Sequence, residues 1–303
     1  MSNAYIHLLI VYVVWGTVYP VIRLSLTGPD APSPLQLQGG RLFLAAVILA
    51  ALASLSGRLR PVPWHDVGLC VICGLLFWVS GNGFATFALR ELPSGCVTMA
   101  MATIPLWTAL FQFCADRQPI GRPQIAALVL GFAGMGIVYV PAFSGGVESH
   151  LDKPIELTAA FLAPVTWAIG SVIQQPSRLK INVTAAASIQ LAAGGLACIG
   201  LAWLEGTPLP KQLPPGQALA FGYLVVFVGV LCFSSYLRVT RMFPAHIAAT
   251  FAYVNPIVSV LLASYLLGER PSALSLLGGA IVISSVVILL LQITPADKCI
   301  SNG

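Results

Sequence analysis

Thr103-Ile104-Pro105-Leu106-Trp107, followed by Leu130-Gly131-Phe132-Ala133-Gly134, is the most informative stretch of this chain because its design occurs twice. The second copy begins 151 residues later, as Val254-Asn255-Pro256-Ile257-Val258, and continues into Ile281-Val282-Ile283-Ser284-Ser285. Each copy is an apolar helix with a proline near its centre, a short polar break and a second apolar helix. The chain therefore consists of two copies of one unit of about 150 residues.

The composition indicates which solvent surrounds the chain. Hydrophobic residues make up 57% of the 303 residues and charged residues only 8%, whereas a soluble domain carries roughly 25% charged residues. A lipid bilayer is therefore the predicted partner of most of the surface. The net charge of +5 comes from basic residues scattered at segment ends, with no basic patch of the kind that nucleic acids need, so no nucleic-acid partner is expected.

Ten apolar segments are long enough to span a membrane, since about 20 helical residues cross a ~30 Å hydrocarbon core. They are continuous apolar runs without strand-like alternation, which favours helices. Breaks rich in proline, glycine or charge separate them. The predicted spans are residues 4–26, 35–55, 66–89, 94–114, 122–141, 155–174, 183–204, 216–237, 244–266 and 273–293.

The spans divide into two repeats of five, and this odd number places the second repeat upside down relative to the first. The predicted fold is therefore an all-α membrane protein of ten transmembrane helices in two inverted five-helix repeats, an arrangement typical of alternating-access transporters. The first repeat is residues 1–141, the connecting loop 142–154, the second repeat 155–293 and the tail 294–303. With both termini in the cytoplasm, nine Lys and Arg fall on inner loops and the tail and five on outer ends. This bias predicts a multi-pass inner-membrane protein in that orientation.

Several short motifs, in their order and spacing, carry a family likeness over nearly the whole chain. They are Trp15-Gly16-Thr17, Gly39-Gly40-Arg41-Leu42, Ile104-Pro105-Leu106, Leu130-Gly131-Phe132-Ala133-Gly134, Asn255-Pro256-Ile257-Val258, Leu267-Gly268-Glu269-Arg270 and Gly278-Gly279-Ala280. With these motifs the chain resembles the EamA-type members of the drug/metabolite transporter superfamily, and the likeness implies a ten-helix bundle with a central cavity that exports small metabolites, often amino acids. One departure is Ala115-Asp116-Arg117-Gln118, which stands where a Gly-Glu-Arg turn is expected.

Aromatic and polar side chains form stripes at helical spacing through the middle of the first, third, fourth and sixth spans. Tryptophan in membrane proteins usually lies at the interfaces, so mid-span tryptophans favour an aromatic cavity for a small-molecule substrate. The alternative is that these large side chains only pack helices together. The predicted cavity residues are Trp15, Tyr19, Trp78, Asn82, Thr103, Trp107, Trp167 and Ser171, together with Asn255 in the ninth span.

Pro105 and Pro256 occupy equivalent positions in the two repeats. Each removes a backbone donor and frees a carbonyl at mid-membrane. The duplicated position favours a hinge in both helices, and the alternative is a static kink.

Arg41 lies well inside the second span, where a charge is costly and usually functional. It could bind a substrate carboxylate with both arms of its guanidinium group. The alternative is that it reaches the interface or binds the carbonyls at a helix end. This alternative is favoured, because an arginine here also resembles a family feature shared across many substrates.

No nucleophile motif, phosphate loop or metal-ligand cluster is visible, so no enzyme activity, metal or cofactor is expected. Gly131, Gly134, Gly136, Gly278 and Gly279 would let the fifth and tenth spans pack closely, within one molecule or across a homodimer. Every acidic residue falls in a loop or at a span end, which predicts transport without a proton relay. The alternatives to a metabolite exporter are a multidrug or cation exporter and a non-transport membrane enzyme.

Overall fold

The computed structural model describes residues 2–28, 30–55, 62–116, 121–143, 153–175, 181–210, 213–242 and 251–292. Within these ranges the chain is helical and contains no β-strand. The predicted Ala115-Asp116-Arg117-Gln118 turn lies partly outside the described residues, as do the start of the predicted ninth span and the tail.

Ten helical segments run through the described residues. Two of them contain a short break: the first is interrupted at Thr17, and the fourth at Ala102 and Thr103, just before Pro105. The segments are α1 (Ala4–Ser25), α2 (Pro34–Leu55), α3 (Trp64–Ala88), α4 (Ser94–Ala115), α5 (Arg122–Phe143), α6 (Pro154–Ile173), α7 (Val183–Leu204), α8 (Pro215–Met242), α9 (Phe251–Leu267) and α10 (Ala273–Gln292).

Seven of these segments, α1 to α4 and α6 to α8, are long and apolar enough by length and composition to cross a membrane. The apolar runs described in α5, α9 and α10 are shorter, at 125–138, 254–267 and 273–285. The predicted all-helical membrane fold is thus confirmed, and the number of spans stays a prediction.

The helices pack in a pattern that relates each helix of α1–α5 to the one five places later. The helix α2 lies along its counterpart α7, and α5 lies along its counterpart α10. Two further kinds of contact occur in matched pairs: α3 with α6 matches α8 with α1, and α4 with α6 matches α9 with α1. Helices from the two halves of the chain are therefore interleaved around the centre of the bundle.

Glycine allows a close approach of α5 and α10. A Cβ atom on Gly278 would lie 2.7 Å from the carbonyl oxygen of Gly134 and 2.7 Å from the backbone nitrogen of Val138. The predicted close packing of these two helices is therefore present within one molecule. Gly136 takes no part in it, since a Cβ atom there would have nothing within 4 Å.

Two π-helical stretches, Leu75–Gly81 in α3 and Leu224–Cys232 in α8, occur at equivalent positions of the two halves. The sequence pattern predicts plain helices here. Such turns are rare and are often found at functional sites. The first one contains Trp78.

The turn between α3 and α4 is held by three other segments. The Glu269 carboxylate accepts hydrogen bonds from the Ser94 hydroxyl at 2.8 Å, the Ser94 backbone N–H at 3.1 Å and the Gly95 N–H at 3.3 Å. Arg23 donates to the carbonyls of Leu89 and Leu92. Glu91 pairs with Lys153 at 3.2 Å. A carboxylate at the first turn of α4 also compensates the positive end of the helix dipole.

Candidate functional site

Trp15 and Trp167, equivalent residues of α1 and α6, meet near the centre of the bundle. Their rings contact edge to face, with centroids 5.8 Å apart. Trp167 also contacts Trp78 at 5.6 Å and Phe77 at 4.8 Å. Such pairs contribute roughly 0.5–1.5 kcal/mol beyond their buried area, so the three tryptophans hold one another in place.

The aromatic cluster continues from Trp15 onto α8 and α9. The Trp15 ring lies 4.6 Å from Tyr236 and 5.1 Å from Phe251, measured between centroids. Tyr236 and Phe251 contact each other at 5.9 Å. The cluster therefore draws side chains from five helices and from both halves of the chain.

A small pocket lies against this cluster. Its cavity volume is about 40 Å³, which is enough for only a few water molecules. Its wall is mainly apolar, with four polar side chains. The lining residues are Trp15, Val18, Tyr19, Asn82, Thr98, Met101, Ala102, Ile104, Trp167, Phe251, Asn255 and Pro256.

Ten residues are predicted to bind the substrate, the nine cavity residues and Arg41, and five of them line this pocket. The five are Trp15, Tyr19, Asn82, Trp167 and Asn255. Their role toward a substrate stays a prediction.

Two further predicted residues lie directly behind the wall. Trp78 is 1% exposed and packs between Trp167 and Phe233, whose ring centroid is 4.8 Å away. Arg41 is 1% exposed and lies beyond Asn82.

The remaining three predicted residues do not line the pocket. Thr103 is buried, and its hydroxyl donates to the Ala100 carbonyl. Ser171 donates to the Trp167 carbonyl within its own helix. Trp107 belongs to a separate aromatic group, 4.6 Å from Phe132, 5.8 Å from Phe161 and 6.1 Å from Phe111.

A buried polar cluster joins α2 to α3 next to the pocket. The Arg41 Nε donates to Gln38 Oε1 at 2.5 Å, and Arg41 Nη2 donates to Asn82 Oδ1. Gln38 Nε2 donates to the same Asn82 oxygen at 3.0 Å and to the Trp78 carbonyl at 3.3 Å. Arg41 reaches neither the interface nor a helix-end carbonyl, so the alternative that the family likeness favoured does not describe it.

The two proline positions differ in local structure. Pro105 follows the break in α4, and it cannot donate to the carbonyl of Met101, a pocket residue. Pro256 lies inside an otherwise continuous α9 and lines the pocket itself. Beside it, the Asn255 amide nitrogen donates to the carbonyls of Tyr12 at 3.3 Å and Phe251 at 3.2 Å, which joins α9 to α1.

Four aromatic residues of the cluster were not predicted from the sequence: Phe77, Phe233, Tyr236 and Phe251. Phe233 and Tyr236 are spaced i, i+3 in α8, so a search of the eighth span for aromatic stripes could have found them. The equivalents of these two residues in α3, 151 positions earlier, are Asn82 and Ala85. The repeat itself therefore gave no signal for them.

Long apolar helices packed around a buried aromatic pocket define a multi-pass membrane protein with an internal cavity. The profile of the EamA-like transporter family matches this chain twice, over residues 2–140 and 154–291. The chain belongs to this family, which makes it a membrane transporter rather than an enzyme by class.

Individual relatives agree with this class. The chain is 30% identical over 281 residues to the uncharacterized inner membrane transporter YedA of Escherichia coli strain K12, covering 92% of this chain and 88% of that protein. It is 23% identical to a protein of Streptantibioticus cattleyicolor named "Probable terminal-alkyne amino-acid exporter", covering 95% and 94%. It is 22% identical to the S-adenosylmethionine/S-adenosylhomocysteine transporter of Chlamydia muridarum, covering 84% and 81%.

A solved crystal structure shares the fold. It superposes with a TM-score of 0.66 over 94% of this chain and 98% of that chain, at 20% sequence identity.

Proposed function

We propose that this protein exports amino acids or similar small metabolites by alternating access around the aromatic pocket. The observation that carries the proposal is the contact of Trp15 with Trp167, equivalent residues of two half-chains, at the wall of that pocket. A substrate site where two repeats meet suits a transporter that moves one half against the other. Two relatives whose names include an amino acid or an amino-acid-derived cofactor support this substrate class.

The proposed architecture is ten transmembrane helices in two inverted halves, residues 1–141 and 155–293, with both termini in the cytoplasm of the inner membrane. The matched helix contacts and the two family matches support the repeat. The Lys and Arg bias supports the orientation. A homodimer remains a separate proposal, supported by small residues on helix faces alone.

Pro105 and Pro256 are proposed as the hinges of this movement. Both belong to helices that line the pocket, and in both the proline leaves one carbonyl without its helical partner. A bend at these positions would change the space between α4 and α9, which contact each other across the hydrogen bond of 2.7 Å between Thr98 and Ser259.

Metabolite levels test the proposed function most directly. A strain that lacks the gene is expected to accumulate the substrate inside the cell, and an overexpressing strain is expected to deplete it and enrich the medium. Untargeted measurement of both compartments identifies the compound. The control is an overexpressing strain in which the protein carries Trp203→Phe. It should behave like the strain that overexpresses the wild type, since Trp203 is 80% exposed and does not line the pocket. Unchanged amino acids and related metabolites in both strains would contradict the proposal.

Transport is expected to proceed without proton coupling. Proton-driven carriers use a deep Asp, Glu or His, and no acidic side chain is buried among the described residues. Glu205, at the end of α7, is exposed. Proteoliposomes should therefore equilibrate the compound identified in cells without an imposed pH gradient, and uptake should stop at equal concentrations. Accumulation beyond equilibrium, driven by an imposed pH gradient and abolished in Glu205→Gln or Asp116→Asn, would overturn this expectation.

A further inference from the structure

Arg41 is the only charged side chain among the buried residues that the structure describes. It is 1% exposed, and both of its hydrogen-bond partners, Gln38 and Asn82, are neutral amides. Its guanidinium carbon lies 5.8 Å from the centre of the Trp78 ring. A ring face attracts a cation but does not neutralise it. The positive charge of Arg41 therefore has no counter-ion in the described part of the chain.

The guanidinium group also keeps unused hydrogen-bonding capacity. Its Nη1 atom is buried and has no acceptor, although arginine normally uses its planar donors in pairs. An unpaired charge in a low-dielectric interior is expensive. An anion that arrives next to it would be attracted more strongly than in water.

Asn82 connects this charge to the pocket. Its side-chain oxygen accepts hydrogen bonds from Arg41 and Gln38, while the residue itself lines the pocket. With the oxygen committed to these two donors, the NH₂ group is the part of the amide that can donate to a ligand. Tyr19 lies beside Asn82 in the wall and adds a hydroxyl. This side of the pocket is thus made of hydrogen-bond donors backed by a positive charge.

The equivalent side in the second half carries no such group. Gln190 repeats Gln38, but Ala193 stands at the position of Arg41 and Phe233 at that of Asn82. Phe233 is fully buried against Trp78. Among the described residues, a buried positive charge therefore backs only the Asn82 side of the pocket, and a ligand with one anionic end and one apolar end has a single favourable orientation.

We propose that Asn82 and Arg41 form the anion subsite of this transporter: the Asn82 amide donates to the carboxylate of the substrate, and the positive charge of Arg41 behind it attracts that carboxylate. The apolar part of the substrate then lies against Trp15 and Trp167. This inference rests on the proposed function and narrows it to carboxylates, which separates the protein from an exporter of cations.

Binding of a matched pair of probes to the purified full-length protein tests the subsite. 3-Phenylpropionate and 3-phenylpropionamide share one body and differ in the carboxylate, so near neutral pH the acid is expected to bind about tenfold or more tightly. Arg41→Gln is expected to remove this preference. Arg270→Gln, which deletes an exposed charge at the end of the α9–α10 turn, should retain it. Titration calorimetry measures both affinities.

A second variant keeps the test valid if Arg41→Gln fails to fold. Asn82→Asp is nearly isosteric and places a counter-ion directly beside Arg41. It is expected to abolish the preference for the acid while the protein remains folded. Undiminished selectivity for the acid in Asn82→Asp would overturn the proposal.

The wild-type comparison separates this inference from the proposed function. Equal affinity for acid and amide, or tighter binding of 3-phenylpropylamine, would overturn the anion subsite, although transport of a metabolite could still be observed in cells. Failure of all three probes to bind would overturn it as well, because the proposed alternating access must open the pocket beyond the few waters that it holds here before any substrate can enter.

Discussion

Trp167→Ala is expected to lower the initial rate of transport by about tenfold or more, because removal of a central aromatic anchor commonly costs at least ~1–2 kcal/mol of binding. Trp167 lines the pocket and contacts Trp15, Trp78 and Phe77. Its loss both enlarges the pocket and releases the neighbouring rings. Initial rates in proteoliposomes, divided by the amount of folded protein, give the effect.

Packing alone could also make Trp167→Ala defective, since a buried Trp→Ala change costs roughly 3–5 kcal/mol of stability. Trp167→Phe separates loss of packing from loss of substrate contact, because it keeps an aromatic ring in the cluster and removes only part of the side chain that lines the pocket. It should show an intermediate rate. Trp203→Phe, the same substitution at a site that is 80% exposed, should transport at the wild-type rate. If the rate per folded molecule is unchanged in Trp167→Ala, Trp167 only packs the bundle and the pocket is not the transport site.

Gly278→Ala is expected to destabilise the protein by about 3 kcal/mol, the upper part of the usual range for overpacking. The new Cβ atom would approach two backbone groups of α5, Gly134 O and Val138 N, at 2.7 Å each. Backbone atoms cannot rotate away as a flexible side chain does, so α10 must move away from α5 along their contact. The apparent melting temperature in detergent measures the change.

Gly136→Ala is the matched control on the partner helix. A Cβ atom there meets nothing within 4 Å, and alanine is favoured over glycine in a helix by about 1 kcal/mol. This variant should therefore melt at the wild-type temperature or slightly above it. Equal melting temperatures for Gly278→Ala and Gly136→Ala would show that α5 and α10 do not approach each other as closely as described.

Some of the candidate site could be predicted from residue type and spacing. Trp15, Asn82 and Trp167 lie on helical stripes in the middle of apolar spans, and all three line the pocket. The same reasoning also selected Trp107, which packs among other aromatic rings away from the pocket. A stripe gives the depth of a residue and its face of the helix, but not what that face contacts.

The environment of Arg41 illustrates the same limit. Its depth in the second span followed from counting residues. The full set of its hydrogen-bond acceptors could not be predicted in this way. Gln38 lies on the same helix, but Asn82 lies on the next helix and comes within reach only when α3 packs against α2. The alternative that it reaches the interface was reasonable for a single helix and was wrong once α3 packed against α2.

Composition, the length of the apolar runs and the 151-residue repeat were sufficient to predict an all-helical membrane protein with an internal likeness between its halves. These features are local or periodic along the chain, and the bilayer requires any spanning segment to satisfy its own backbone hydrogen bonds. The meeting of Trp15 with Trp167, the commitment of the Asn82 oxygen to Arg41 and the approach of Gly278 to Gly134 depended instead on how the helices cross. In lipid, apolar faces are all equally well solvated, so the choice of partner helix rests on shape and hydrogen bonding between side chains remote in sequence, which no pattern along one helix contains.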